Sequence, residues 1–406
     1  RTARLTMPID VPVVRAGNIV TPQFVPPNVI GVTVASNSYV FDTTEDFYRP
    51  DIAARIGSNV LATPRMVDRK FAGMHYHASL PTIDYAIARN IDVPGCLWSG
   101  IASAARGVYD WSALDAFVVN AAAGGRDIVF NFLGTPTWAS ARPAEPGHYA
   151  NGGDAEPAAM QDIADFAAAV CLRYRSRGTP ITAFEVWNEP KYADGGSVAQ
   201  GNYFTGTPQA LAQMARAVFQ AVKAIDSTAL VLSPAPTGLE YPWVEGDRSG
   251  TDNLNRFMAA SDGAGGSGRD WLDAIAFHSY SHDGFNNVYA IPQMVANVRA
   301  VMALHNLIER QIWITETSAI TPALASFVPQ HQQEYIGRTL LLALGSGVSR
   351  VIWYAWDDSL GFAKQPAVAA YWNEITGALA GANISLVNSL RNRRVAAVVD
   401  GKRYLV

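Results

Sequence analysis

From Phe71 onward, short apolar runs alternate with longer stretches in which apolar residues recur at helical spacing. Runs of four to eight residues bounded by turn formers read as strands, and a repeat near 3.6 residues reads as a helix with one buried face. On that basis residues 71–77, 93–98, 127–134, 181–188, 229–234, 274–280, 311–315 and 351–356 are expected strands. Helices are expected at 112–123, 161–175, 208–225, 291–308, 330–344 and 367–379; within 330–344, Tyr335, Leu340, Leu341 and Leu344 fit one face. Strand-helix alternation implies a parallel sheet with helical crossovers. Eight such strands over about 300 residues favour a closed (β/α)8 TIM barrel, an α/β fold, over an open doubly wound sheet. No Gly-rich phosphate loop follows the first strand, which argues against a dinucleotide fold.

The flanks read differently. Residues 4–14, 19–24 and 29–41 are short Val/Thr-rich runs broken by Pro, Gly and Asn, with a helical period only at 49–56. The tail, 384–406, contains a strand-like stretch at 394–399 and a turn at Asp400-Gly401. The expected organisation is a β-rich N-terminal accessory segment (1–69), a catalytic barrel (70–380) and a C-terminal β tail (381–406). The two ends would form a small accessory β region by pairing with each other.

Composition narrows the chemistry. The 406 residues are 49% hydrophobic and 16% charged, enough apolar content for a sizeable core, and the net charge of −4 gives no electrostatic case for nucleic acid. No apolar run reaches the roughly 18–20 residues of a membrane span. The chain opens at Arg1 without an apolar signal core, as a chain does once a leader has gone, so secreted or periplasmic export is expected. Cys96 and Cys171 lie in apolar, regular stretches and are expected as free, buried thiols. Without a Cys/His cluster at ligand spacing, neither a metal nor a cofactor is expected. Ten Trp and sixteen Tyr suit a ligand that packs its C–H faces on aromatic rings, as sugars do, although any single ring is more often core.

Barrel chemistry sits at the C-terminal ends of strands. Read in order, those ends carry His75 and His77, then Trp98, then Trp138, then Trp187-Asn188-Glu189-Pro190, then His278 and Tyr280, then Glu316, and finally Trp353 and Trp356. Glu189 and Glu316 each end an otherwise apolar strand. Glycosidic cleavage needs such a pair around an oxocarbenium-like transition state, one carboxyl protonated to release the leaving oxygen and one ionised. Asn188 is placed to bond a sugar 2-hydroxyl. His278 and Tyr280 share a strand face and are placed to orient the two carboxylates. Glu189 is expected to have the higher pKa of the pair, held up by its neighbour's charge. His75, His77, Trp98, Trp138, Trp353 and Trp356 are candidate substrate contacts; for each, an ordinary structural role is the competing reading. Glu185 has the parity of Glu189 but lies deeper, which gives it a structural role by default. His282, Asp283, Asp357 and Asp358 are candidate loop groups at subsites.

With these residues in view, the chain resembles glycoside hydrolases of clan A, whose two catalytic glutamates sit on the fourth and seventh strands. More narrowly it looks like glycoside hydrolase family 39. The resemblance rests on Phe71-Ala72-Gly73-Met74-His75, on Leu97-Trp98, on Tyr109-Asp110-Trp111-Ser112-Ala113-Leu114-Asp115 and on Gly134-Thr135-Pro136-Thr137-Trp138-Ala139-Ser140. It runs from about Lys70 to Leu379 and departs where the family pattern has Arg before the Leu-Trp pair, since Cys96 stands there. It implies retaining double displacement, with Glu316 as nucleophile and Glu189 as acid/base. Because only a short tail follows Leu379, the balance tips towards an endo-acting enzyme on a polysaccharide or exopolysaccharide. An exo-acting β-glycosidase of the β-xylosidase kind is the alternative. A non-catalytic carbohydrate-binding barrel is the alternative of another class, although binding alone needs neither glutamate.

Overall fold

The computed structural model describes residues 65–192, 202–240, 242, 244–246, 249–280, 288–318, 329–358, 361–390 and 394–405, with six short strands inside the first 42 residues. The chain divides into two compact units, one of residues 66–382 and one drawn from both ends, 1–65 with 383–406.

The larger unit is a closed barrel of eight parallel strands. They are β1 (Ala72–His75), β2 (Ile87–Arg89), β3 (Asp127–Asn131), β4 (Ala183–Glu185), β5 (Leu230–Leu232), β6 (Ala274–His278), β7 (Gln311–Thr317) and β8 (Arg350–Trp353). Seven of the eight coincide with expected runs. The second does not: residues 93–98 form a turn leading into a single helical turn, Trp98–Ile101, and the strand is Ile87–Arg89. A Pro94-Gly95 pair breaks the expected run, whereas the real strand carries an arginine that hydropathy counts against it.

Around the barrel run α1 (Ser112–Ala123), α2 (Met160–Ser176), α3 (Pro208–Ile225), α4 (Gly250–Ala259), α5 (Ile291–Leu304), α6 (Pro329–Gly345) and α7 (Pro366–Leu379). Their starts follow local chemistry. Thr207 caps α3 by accepting from the Ala210 amide at 3.1 Å with Pro208 in the first turn, and Ser249 caps α4 through the Asp252 amide.

Inside the barrel, Ile87, Val129, Ala183, Leu232, Ala274, Ala276, Trp313 and Ile352 form a packed apolar plug. Two residues further along three of these strands, on the same face, come Arg89, Asn131 and Glu185. The parallel register sets His75 opposite Arg89, Asn131 opposite Glu185 and His278 opposite Glu316. Register shifts at 277–278 and at 314–317 re-aim the ends of β6 and β7 towards the mouth. The plug is tight at Gly73, where an added Cβ would lie 2.9 Å from both the Ile87 Cβ and its carbonyl oxygen. Gly73→Ala should therefore cost about 1–3 kcal/mol, read from the denaturant midpoint; an unchanged midpoint would show that β1 and β2 can separate freely.

In the smaller unit the tail forms β9 (Asn383–Leu390), β10 (Arg394–Val399) and β11 (Lys402–Leu405), an antiparallel meander extended by the short strand that begins at Arg65. The expected Asp400-Gly401 turn joins β10 to β11, with φ of 48° and 73° at its two residues. The tail thus pairs with the N-terminal segment, as expected, through the strand that begins at Arg65. The strands nearer the N-terminus pair among themselves, Thr2–Arg4 with Val40–Asp42, Val13–Ala16 with Ile19–Pro22 and Thr33–Val34 with Asn37–Ser38. The helix expected at 49–56 lies outside the described residues. Both cysteines are buried free thiols.

Candidate active site

The C-terminal mouth of the barrel opens into a cavity of about 300 Å³ lined by Ile91, Asp92, Tyr149, Asn188, Glu189, Tyr203, Tyr280, Glu316 and Tyr354. The floor is an ionic network built around Arg89, whose side chain is 0% exposed. Its Nε donates to Glu185 Oε2 at 2.7 Å, Nη1 to Glu316 Oε2 at 3.0 Å and Nη2 to Asn188 Oδ1 at 2.8 Å. Glu185 also accepts from Asn131 Nδ2 at 2.7 Å. One guanidinium thus ties strands β2, β4 and β7 together, a use of its planar fork that a lysine could not reproduce.

The network fixes Asn188. Because its amide oxygen faces Arg89, its Nδ2 is left to donate into the cavity. Beyond β4 the backbone leaves the extended region, with φ of 78° at Trp187 and 41° at Glu189, while the Glu189 amide is held by the Ala235 carbonyl at 2.9 Å. This bend brings Glu189 to the rim with 15% of its side chain exposed. The Trp187 ring is buried; its Nε1 donates to the Tyr203 carbonyl at 2.7 Å, which secures Tyr203 beside the cavity.

Each glutamate has a partner from the end of β6. His278 Nδ1 lies 2.6 Å from Glu189 Oε1 and 3.8 Å from Glu316 Oε2, and the Tyr280 hydroxyl donates to Glu316 Oε1 at 3.0 Å. A carboxylate oxygen from each glutamate and the His278 nitrogen fall within 4.8 Å of one another. This O/N/O set is also the place among the described residues where donors converge closely enough to hold a metal ion. Burial pushes the Glu316 carboxyl above its ordinary value; His278 and Arg89 pull it down, whereas Glu189 and Asp92 push it further up. An upward push on Glu316 was no part of the sequence expectation, which followed the pair's mutual repulsion and left out burial. Burial also raises the Tyr280 phenol, and Glu316 adds to that, so Tyr280 remains a proton donor.

Several aromatic candidates turn out to be core. Trp98 is 0% exposed and stacks on Phe166 with ring centroids 5.6 Å apart. Trp353 is 1% exposed and packs on Tyr335, Phe362 and Trp372. Parity explains this: Ile352 belongs to the inner plug, so Tyr354 points inward and Trp353 outward. Trp356 is buried, and Trp138 is half-buried with its Nε1 donating to the Ala102 carbonyl at 2.6 Å; neither lines the cavity. The rings at the cavity are tyrosines: Tyr149, Tyr203, Tyr280 and Tyr354.

His75 is fully buried as well. Its Nε2 lies 3.0 Å from the Thr315 carbonyl, so that nitrogen carries the proton, and burial together with Arg89 drives its pKa well below the usual histidine range. It stays neutral and supports the Tyr354 ring edge-on at 5.2 Å. The His77 ring also lies against Tyr354, with ring centroids 5.2 Å apart. Neither histidine lines the cavity. Asp357 accepts backbone amides from His77, Ala78 and Ser79 at 2.7–2.8 Å, which makes it an anchor for the loop after β1. His282 and Asp283 lie outside the described residues.

No protein-family profile matches the sequence, and no curated protein matches it. Solved structures do match in three dimensions. A glucosidase from Croceicoccus marinus, 14% identical, superposes over 83% of this chain and 78% of its own with a TM-score of 0.56. A monomeric β-xylosidase from Caulobacter crescentus CB15, 19% identical, does so over 82% and 74% with a TM-score of 0.56. A family 39 glycoside hydrolase from the gut symbiont Bacteroides cellulosilyticus WH2, 16% identical, covers 92% and 75% with a TM-score of 0.54. The barrel fold is one shared with glycoside hydrolases.

Cys96 is buried in the turn after β2, and the arginine of strand two is Arg89, seven positions earlier. The misplaced strand hid it. Asp92 and Tyr149 were also missed, since both lie in loops where no periodicity marks them; Asp92 carries a φ of 58°.

Proposed function

We propose that the protein is a retaining glycoside hydrolase in which Glu316 is the nucleophile and Glu189 the acid/base. The observation that carries this is the close pairing of the two carboxylates, with oxygens within 4.8 Å, Glu316 held by Arg89 of the floor and Glu189 by His278. Retaining enzymes hold their carboxyls about 5–5.5 Å apart, and inverting enzymes need about 6.5–9.5 Å to admit water. In the first step Glu316 attacks the anomeric carbon as the bond to the leaving oxygen breaks, and Glu189 gives that oxygen its proton. In the second, Glu189 takes a proton from water as the water oxygen attacks the same carbon, and Glu316 leaves as carboxylate. Asn188 Nδ2, turned to the cavity by Arg89, donates to the sugar 2-hydroxyl, a contact that strengthens in the transition state.

The mode of action is proposed as endo, on a polysaccharide encountered outside the cytoplasm. A second reading is favoured by the cavity itself: about 300 Å³ is at the low end for ligand pockets and suits a single terminal unit, hence exo cleavage. Product analysis on a polysaccharide panel and on aryl glycosides decides. Oligosaccharides support endo action and monosaccharide alone supports exo action. An anomeric product of inverted configuration, read by NMR, would overturn the nucleophile assignment.

The raised Glu316 carboxyl predicts the acid limb of the pH profile. Glu316 attacks only when ionised, and a raised pKa means that the ionised fraction is lost at higher pH on acidification. The acid limb of kcat/KM should therefore lie above the ordinary glutamate value of 4.5. A limb at or below 4.5 would show that His278 and Arg89 outweigh burial.

A further inference from the structure

One charged group at the cavity has no part in the double displacement. Asp92 follows β2 by three residues, in a turn that the Asn90 side chain fixes by accepting from the Asn131 amide at 2.6 Å and donating to the Cys96 carbonyl at 2.8 Å. Its left-handed backbone, tolerated by Asp better than by most residues, turns the side chain to the cavity wall. There the Tyr149 hydroxyl donates to Oδ1 at 2.8 Å and the Tyr354 hydroxyl donates to Oδ2 at 2.9 Å. Two phenols from different loops thus hold one carboxylate still. Burial raises both phenols, with the charge of Asp92 adding to the effect, so they remain donors.

A carboxylate offers about four lone-pair positions, and the tyrosines occupy one on each oxygen. One acceptor position per oxygen is left, a spacing that suits two hydroxyls on neighbouring ring carbons. The lining also carries Glu189 and Glu316 and, among the described residues, no Lys or Arg. The Arg89 guanidinium is engaged by Glu185, Asn188 and Glu316 in the floor.

We propose that Asp92 is the specificity-determining residue of the cavity: clamped by Tyr149 and Tyr354, it accepts hydrogen bonds from two adjacent hydroxyls of a neutral glycosyl unit. A uronic acid is rejected, because its carboxylate would enter a site that, among the described residues, already holds the carboxylates of Asp92 and Glu316 and has no free cation. The assignment of the ligand as a glycosyl unit rests on the glycosidase reading above.

The test compares wild type with Asp92→Asn and Asp92→Ala on 4-nitrophenyl β-xyloside, β-glucoside and β-glucuronide. Deoxy analogues of the glycoside turned over best are added, together with saturation-transfer NMR of free xylose, glucose and glucuronic acid. Losing a charged acceptor should lower kcat/KM on the neutral glycoside by about 10- to 100-fold. Removing one of the two adjacent hydroxyls should hurt wild type but not Asp92→Ala, a pattern that general structural damage does not give. Unchanged kcat/KM in Asp92→Ala, or preference for the glucuronide, would overturn the inference and leave the glycosidase reading standing. If wild type cleaves none of these glycosides and no member of the polysaccharide panel, the glycosidase reading fails. Saturation transfer to xylose or glucose that disappears in Asp92→Ala then still supports the Asp92 role, and transfer that persists, or is absent from wild type, overturns it.

Discussion

Glu316→Gln is expected to lower glycoside cleavage by at least about 10⁴-fold, while the folded protein and its affinity for sugar survive. Glutamine keeps the shape of the side chain and a partner for the Tyr280 hydroxyl, but it cannot form the glycosyl ester. Arg89 then faces an amide in place of a charge, which costs some stability without emptying the cavity. Glu189→Ala should behave differently. With a poor leaving group, loss of the general acid should cost about 10²–10⁴-fold. With a 2,4-dinitrophenyl leaving group, which needs no proton, the first step should persist and the glycosyl-enzyme should accumulate as a burst. Added azide should attack that ester without base assistance and restore turnover. Steady-state rates on both substrates, with and without azide, check the pair of assignments. If azide rescued Glu316→Gln and not Glu189→Ala, the two roles would have to be exchanged.

The extent to which this site could be read from the sequence follows from what periodicity encodes. Strand parity and a Trp-Asn-Glu-Pro string were enough to mark Glu189, and an apolar strand ending in a carboxylate marked Glu316; His278 and Tyr280 followed from their shared face. The structure brings these four together with Asn188. Arg89 escaped because a buried, fully paired cation is invisible to hydropathy: the charges that stabilise it, Glu185 and Glu316, lie 96 and 227 residues away in sequence. At the end of β8 strand parity would have served better than residue type. Trp353 is larger than Tyr354, but the plug residue Ile352 fixes which of them faces inward. Asp92 and Tyr149 meet across 57 residues through a single hydrogen bond between loops, and no local pattern announces such a pair.

The second large effect concerns the floor. Glu185→Ala should destabilise the barrel by about 3–5 kcal/mol, because it strips the main counter-charge from a guanidinium that is fully buried. Arg89 would keep only Glu316 and Asn188, the groups it has to position rather than lean on. Replacing both charges, Glu185→Leu with Arg89→Met, removes the buried ions altogether, and such replacements are often neutral for stability. The double variant should therefore recover most of the denaturant midpoint lost by the single one. Its activity should not recover: Asn188 loses the contact that orients its amide, and Glu316 loses a donor that favours its ionised form, so the acid limb of kcat/KM should move further up in pH. Denaturation midpoints and pH profiles on the same preparations separate the two roles. A double variant restored in both stability and activity would reduce Arg89 to a structural ion. One restored only in stability identifies it as the group that positions Asn188 and Glu316 for the reaction.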